Sequence, residues 1–298
     1  MPDPRSPALP FMVACGGIGL FAIMDALMKD LSIALGAYNA VLWRCLIGAA
    51  LAGVVWAARK SPWPSRAVLG LHFVRSALVA AMAVSFFWAL ARLPLAEAIA
   101  LSFIAPLITL YFAAVMLGER IGRDAIIASL LGLAGMLVIL SAKLGADGQI
   151  RDAMAVGAVL FSAVAYAINL VIARKQAQVA SPTEIAFFQN LLVGLILSLA
   201  APWLAILPDS AWGPHLLAAA LLATCSVFLL AWAYARAEAQ QLVSAEYTAF
   251  LWAAALGWLW FGEPLAWQTV AGTVLIVAGC LIAARTKPMV DQVEPLPA

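Results

Sequence analysis

Five charged side chains stand inside, or at the edge of, long apolar runs: Asp25, Arg44, Arg75, Glu97 and Glu246. In hydrocarbon an ionised group costs on the order of 2.5–3.5 kcal/mol even on insertion scales, so these residues must face one another or a polar cavity. Groups of both signs in such places can hold a charged solute, take up a proton, or close a passage. With the amino terminus on the cytoplasmic side, Asp25, Arg44 and Glu97 fall in the outer half of the bilayer, and Arg75 and Glu246 in the inner half. We therefore expect two gating or coupling clusters: Asp25 with Arg44 and Glu97 outside, Arg75 with Glu246 inside. Asp25 and Glu246 are the carboxylates to which a coupling proton would bind. Pairs that only fix helix register would use the same residue types, and the sequence leaves that reading open. Lys29 lies near the end of its run and is expected to reach the aqueous interface.

A second set supplies ring faces and a few hydrogen-bonding groups near mid-depth: Ser102, Phe103, Tyr166, Asn169, Tyr247, Thr248 and Trp252. Such a lining suits a planar or amphipathic organic solute. Aromatic residues also fill apolar cores, and Trp collects at membrane interfaces, where Trp56, Trp63, Trp203, Trp212, Trp258, Trp260 and Trp267 are expected. Pro106, in the middle of its run, removes a backbone hydrogen bond and is expected to kink or open its helix.

The elements that must carry these residues follow from composition. Of 298 residues, 65% are hydrophobic and 11% charged, with mean hydropathy +1.01. That is too much apolar surface for a water-soluble domain, so lipid is the solvent for most of the chain. Charged or Pro/Gly-containing breaks leave ten runs, near 9–29, 36–58, 68–91, 94–117, 124–142, 153–173, 183–202, 213–235, 240–261 and 266–284. None alternates as barrel strands do, so the expected fold is an all-α membrane protein with ten transmembrane helices.

The chain is also written twice. Trp88 pairs with Trp232, Arg92 with Arg236 and Glu119 with Glu263, a constant offset of 144 residues that also pairs Asp25 with Asn169, Ser102 with Glu246 and Phe103 with Tyr247. Five spans per copy place the second copy upside down, giving two inverted five-helix repeats at 9–142 and 153–284, with a binding site at their seam. Residues 285–298 are expected to form a disordered cytoplasmic tail. Of the 17 Lys and Arg, Arg44 and Arg75 lie within spans. With both termini cytoplasmic, the outer side holds only Lys29, Arg92, Lys143 and Arg151, and the rest fall inside, as the positive-inside rule requires.

This pattern resembles the drug/metabolite transporter superfamily, specifically proteins with two EamA domains. The resemblance is carried by F-A-I-M-D-A-L-M-K-D (21–30), L-W-R (42–44), P-L-A-E-A-I-A-L-S-F-I-A-P-L (94–107), S-P-T-E-I-A-F-F-Q-N (181–190) and the L-G-E and F-G-E endings at Glu119 and Glu263. It implies a secondary active transporter of small organic metabolites (amino acids, drug-like or vitamin- or nucleoside-like solutes), working by alternating access and generally as an exporter. Uptake or exchange on the same fold is the alternative. It implies a multi-pass protein of the bacterial inner membrane, with a small-molecule solute, the lipid bilayer and protons, as coupling ion, for partners. Both repeats needed for a cavity lie in one chain, so a monomer or weak homodimer is expected. The copies differ where Pro106 meets Phe250 and where Arg44 falls near Phe188 and Gln189, so the halves are expected to act asymmetrically.

Other classes lack their chemistry. The histidines, His72 and His215, lie near span entries with no H-E-x-x-H spacing, no G-x-S-x-G occurs, and no Walker A loop is present. The four cysteines form no C-x-x-C pair. We expect no catalytic residue, no metal and no cofactor, and a net charge of +2 gives no reason to expect nucleic acid. An intramembrane enzyme or a scaffold is the rival class. Glu119 and Glu263, each after a glycine, are expected to cap the helix that follows them.

Overall fold

The computed structural model describes residues 8–59, 63–105, 108, 123–142, 152–177, 179–234 and 248–285. Pro106, Glu119, Glu246, Tyr247 and the tail from residue 286 lie outside the described residues. The helices are α1 (Ala8–Leu35), α2 (Ala37–Ala58), α3 (Arg66–Leu90), α4 (Leu95–Ser102), α5 (Arg123–Ser141), α6 (Ala153–Ala177), α7 (Pro182–Ser198), α8 (Gly213–Tyr234), α9 (Thr248–Phe261) and α10 (Trp267–Arg285). A single helical turn at Ala201–Leu204 and a 3-10 turn at Ser210–Trp212 join α7 to α8. No strand occurs among the described residues. Four helical stretches are long and apolar enough to cross a bilayer: Leu9–Leu35, Ala37–Ala58, Arg66–Leu90 and Ser210–Leu230. Shorter apolar stretches lie in α5, α6, α7, α9 and α10.

Local signals set several boundaries. Lys29 and Asp30 do not end α1, which continues to Leu35. The reason is that Lys29 is buried and paired inside the protein instead of reaching water, which overturns the interfacial expectation for it. Gly36, at φ 79°, then turns the chain by itself, so one residue separates α1 from α2. Ser65 Oγ accepts from Val68 N–H at 3.4 Å to open α3. Ser181 Oγ accepts from Glu184 N–H at 3.3 Å to open α7, with proline next in line.

The heaviest packing joins the first half of the chain to the second: α5 with α10, α1 with α8, α3 with α6, and α2 with α7. These pairings are symmetric under exchange of the halves, because α1 with α8 (first on third) mirrors α3 with α6 (third on first). A pair of hydrogen bonds repeats the symmetry in detail. Ser226 Oγ donates to Gly17 O at 2.7 Å across α8 and α1, and Ser162 Oγ donates to Met82 O at 3.1 Å across α6 and α3. Met82 and Ser226 are counterparts at the 144-residue offset.

The direction of packing is equally informative. Gly17 meets Ser226 and Leu230, while Ala14, three residues earlier, clusters with Ala233. The contact therefore advances on α8 as it retreats on α1, and these two helices run antiparallel. On α2 and α7, Leu46 meets Gly194, Gly48 meets Asn190 and Gly53 meets Phe187, again in reversed order.

Apolar surface gives no drive for helices to associate in lipid, so close backbone approach through small residues replaces it. The tightest approach is between α5 and α10. A Cβ at Gly272 would lie 2.5 Å from Gly135 O and 2.5 Å from Ile139, and a Cβ at Gly135 would lie 2.5 Å from Gly272 O and 2.7 Å from Ile276. Both sides use a glycine followed four residues later by isoleucine. Because the obstacle is backbone, it cannot rotate aside, and Gly272→Ala is expected to cost about 1–3 kcal/mol by overpacking. The check is thermal unfolding in detergent against Gly70→Ala, where a Cβ meets nothing within 4 Å; equal melting temperatures for the two variants would refute the close approach.

Candidate functional site

Two polar clusters occupy opposite ends of the bundle, and both join the halves. The near end is where α1 begins; the far end is where α1 ends. At the far end the Lys29 ammonium forms an ion pair with Glu263 and donates to Leu93 O at 2.7 Å. It also lies 5.0 Å from the centre of the Phe261 ring. The second oxygen of Glu263 accepts from Leu95 N–H at 2.8 Å. The sequence of α4 explains that bond: Pro94 precedes the helix and has no side-chain acceptor, so the second half supplies the missing cap. Glu263 thus caps α4 from across the molecule, which corrects the expectation that it caps its own next helix. Gly262, at φ 64°, makes the turn that aims it, and Gly257 leaves room, since a Cβ there would lie 2.9 Å from Glu263 Oε2. Each residue of the F-G-E ending has a role in holding Lys29. Glu97 is buried in the first turn of α4 and lines a crevice shared with Glu263.

At the near end a chain of hydrogen bonds crosses α3, α6 and α7. Arg75 Nε donates to Asn169 Oδ1 at 2.9 Å, and Arg75 Nη1 donates to Gln176 Oε1. Gln176 Nε2 meets His72 Nδ1 at 2.5 Å, and His72 Nε2 meets Glu184 Oε1 at 3.1 Å. His72 is wholly buried, and its ring stacks on Phe188 with centroids 5.0 Å apart. Gln176 and Asn169 are also buried. The expectation that His72 is interfacial is therefore overturned: its position near a helix start hid that α6 and α7 cover it. Trp56, expected in the interfacial belt, instead stacks on Phe187 at 5.1 Å beside this cluster. Trp203, Trp258 and Trp267 are exposed, as a belt requires.

Between the clusters lies a cavity of about 40 Å³ enclosed by α1, α4 and α9, where Asp25 is the charged residue among Ile18, Phe21, Leu95, Ile99 and Ala253. Arg44 exerts the main opposing charge on Asp25. The expected Asp25–Arg44 contact is not an ion pair: among the described residues only Lys29–Glu263 and His72–Glu184 come within 4.0 Å. Arg44 Nη2 reaches only Cys45 Sγ, at 3.5 Å, and its buried Nε has no acceptor. Arg75 is held by Asn169 and Gln176, so its polar partners come from α6.

None of the described residues expected to line a pocket lines this cavity. Asn169 binds Arg75, and Tyr166 lies one turn before it on α6, partly exposed. Ser102 Oγ donates back to Ala98 O at 2.8 Å, and Phe103 is buried in the core at the end of α4. Trp252 packs its indole against Gly19 of α1, 3.2 Å from where a Cβ would stand. Thr248 opens α9. Sequence reasoning missed Gln176, Glu184 and the role of Lys29. One signal was present for Glu184, the S-x-x-E capping-box spacing from Ser181, although its carboxylate is turned to His72.

The far-end pair gives a direct test. Glu263→Gln leaves a buried ammonium without its counter-charge and is expected to cost about 3 kcal/mol. The double change Lys29→Met with Glu263→Gln removes both charges and is expected to recover most of that loss. Melting of the two purified proteins decides it, since equal losses in the single and double variants would mean the pair is not coupled.

Comparisons with known proteins agree with this architecture. Residues 9–141 and 153–285 each match the EamA-like transporter family. The chain is 29% identical over 277 residues to the protein named pseudopaline exporter CntI in Pseudomonas aeruginosa strain UCBPP-PA14, covering 90% of this chain and 93% of the relative. The protein of that name in strain PAO1 matches to the same extent. A crystal structure of a protein 21% identical in sequence has the same fold, with a TM-score of 0.61 over 93% of this chain and 97% of the other. The two polar ends, the apolar helices and the twofold match across the chain identify it as an integral membrane protein belonging to the EamA-like transporter family.

Proposed function

We propose that this protein is a secondary carrier that exports a small organic metabolite from the cytoplasm by alternating access. Its ten helices would form two inverted repeats. The observation that carries the reading is a charged cavity between two polar clusters, each of which fastens one half of the chain to the other. The antiparallel packing of α1 with α8 supports inversion, because repeats in parallel would make a first and a third helix run the same way.

A cavity of about 40 Å³ holds water and not a metabolite, since small-molecule sites span roughly 300–1,000 Å³. The arrangement is that of a carrier closed at both ends, and opening either end requires its cluster to part. Asp25 and Arg44, opposite in sign and both short of direct partners, supply complementary charge for a solute carrying cationic and anionic groups. The relatives' names favour export over uptake or exchange. One chain contains both halves of the seam, so transport needs no second subunit. The protein would lie in a bacterial inner membrane with both termini in the cytoplasm.

Cells producing the protein are expected to accumulate a metabolite outside that cells producing Asp25→Asn release at least about tenfold less, equivalent to a transport barrier raised by roughly 1.4 kcal/mol. Mass spectrometry of the medium and the cell interior measures this at matched protein levels. Unchanged metabolite profiles in both compartments would remove the carrier reading. Depletion from the medium with accumulation inside would replace export by uptake.

A further inference from the structure

The near-end cluster has a property that its distances alone do not reveal: its hydrogen bonds have a fixed direction. A guanidinium only donates, so the Gln176 atom facing Arg75 must be the oxygen. The amide NH2 then faces His72 Nδ1, which must accept and so carries no proton. The ring proton therefore sits on Nε2 and is donated to Glu184. Every group in the chain is satisfied only while His72 is neutral.

We propose that His72 is a proton-binding site whose occupancy sets whether Arg75 is fastened to α6. A proton from water at the near end adds to the Nδ1 lone pair, giving an imidazolium that retains its Nε2–H bond to Glu184, now charge-assisted. The new Nδ1–H points at the Gln176 NH2, donor against donor. Rotating the amide by half a turn satisfies His72 but presents NH2 to Arg75, which loses its acceptor. No covalent bond other than N–H forms or breaks. One proton thus trades the Gln176–Arg75 bond for a His72–Gln176 bond and frees one end of the guanidinium from α6, leaving Asn169 to hold the other.

Among the described residues few titratable groups face the relay; Tyr166 of α6 is within electrostatic reach of Arg75. Glu184 faces His72 from α7, and Arg75 on its own helix faces it through Gln176 of α6. From α2 the nearby groups are the uncharged rings of Trp56 and, on the connecting segment, Trp63, both packed on Phe188. Arg59, Arg66 and Lys175 at the same end are exposed. On α1 and α4 the charged residues, Asp25, Lys29, Asp30 and Glu97, lie toward the middle or the far end. That the proton serves transport rests on the carrier reading above; the relay itself does not.

The test uses full-length protein in lipid nanodiscs with 15N-labelled histidine and arginine. The chain has two histidines, so a His215→Gln sample identifies His72, and Arg75→Lys identifies Arg75. Across the pH range in which the protein stays folded, His72 should pass on acidification from the Nε2–H tautomer to the doubly protonated ring. The Arg75 side-chain signals should shift with the same midpoint. Gln176→Glu supplies a carboxylate that accepts from both neighbours, so there the Arg75 signals should stay fixed while His72 titrates. A proton on Nδ1 at the alkaline end, no His72 titration in that range, or wild-type Arg75 signals that ignore it would each overturn the relay. In proteoliposomes, His72→Gln should flatten the dependence of flux on pH. A dependence as steep as that of the wild type would leave the relay standing and overturn its use in transport.

Discussion

A polar group inside a bilayer has no solvent to fall back on and must find its partner within the protein. Here each polar cluster draws a partner from the other half of the chain. Lys29 finds Glu263, Arg75 finds Asn169 and Gln176, and His72 finds Glu184. The same holds for lesser groups: the Tyr38 hydroxyl donates to Leu197 O at 2.5 Å, Trp43 Nε1 donates to Ile206 O at 2.9 Å, and Asn39 Oδ1 accepts from Ile206 N–H at 2.9 Å. With no hydrophobic drive between helices in lipid, this requirement aligns the two halves, and glycine contacts then bring the backbones together.

The two kinds of contact sit in different places. Backbone-to-backbone contact between Gly135 and Gly272 fixes the α5–α10 pair, which carries none of the polar clusters. The clusters sit on α1, α3, α4, α6, α7 and the end of α9. A rigid pair beside a set of helices held by exchangeable hydrogen bonds is a division of labour suited to a machine that opens at one end at a time. The bonds at the ends can be traded for water or solute, whereas the glycine contact has nothing to replace it.

Much of this was legible in the sequence because its signals are periodic and long. Ten apolar runs and a constant offset reveal helices and their duplication without any contact being known. A charged residue in an apolar run announces that it needs a partner, but the clusters observed join Lys29 to Glu263 and Arg75 to Asn169 and Gln176, which are not the pairs expected from depth. What depth cannot give is rotation about the helix axis. Arg75 and His72 lie three residues apart on α3 and share a face, so both meet Gln176, yet the sequence marks Arg75 as a gate and His72 only as a residue near a span entry. Lys29 was misread because length to the interface was counted without its counter-charge, which arrives 234 residues later. The F-G-E ending was visible as a repeated motif, but its purpose depends on Pro94 having no cap to offer, a fact about another helix.

The dependence of each half on the other has a consequence for how the protein is made. Ribosomes deliver α1 to α5 to the membrane while the partners of Lys29, Arg75 and His72 are still untranslated. During that interval the amino-terminal half must shelter its ionised groups at the lipid headgroups, in a translocon, or against an insertase. Its two polar clusters are therefore complete only once Gln176, Glu184 and at last Glu263 have emerged, and α10 follows to lock onto α5.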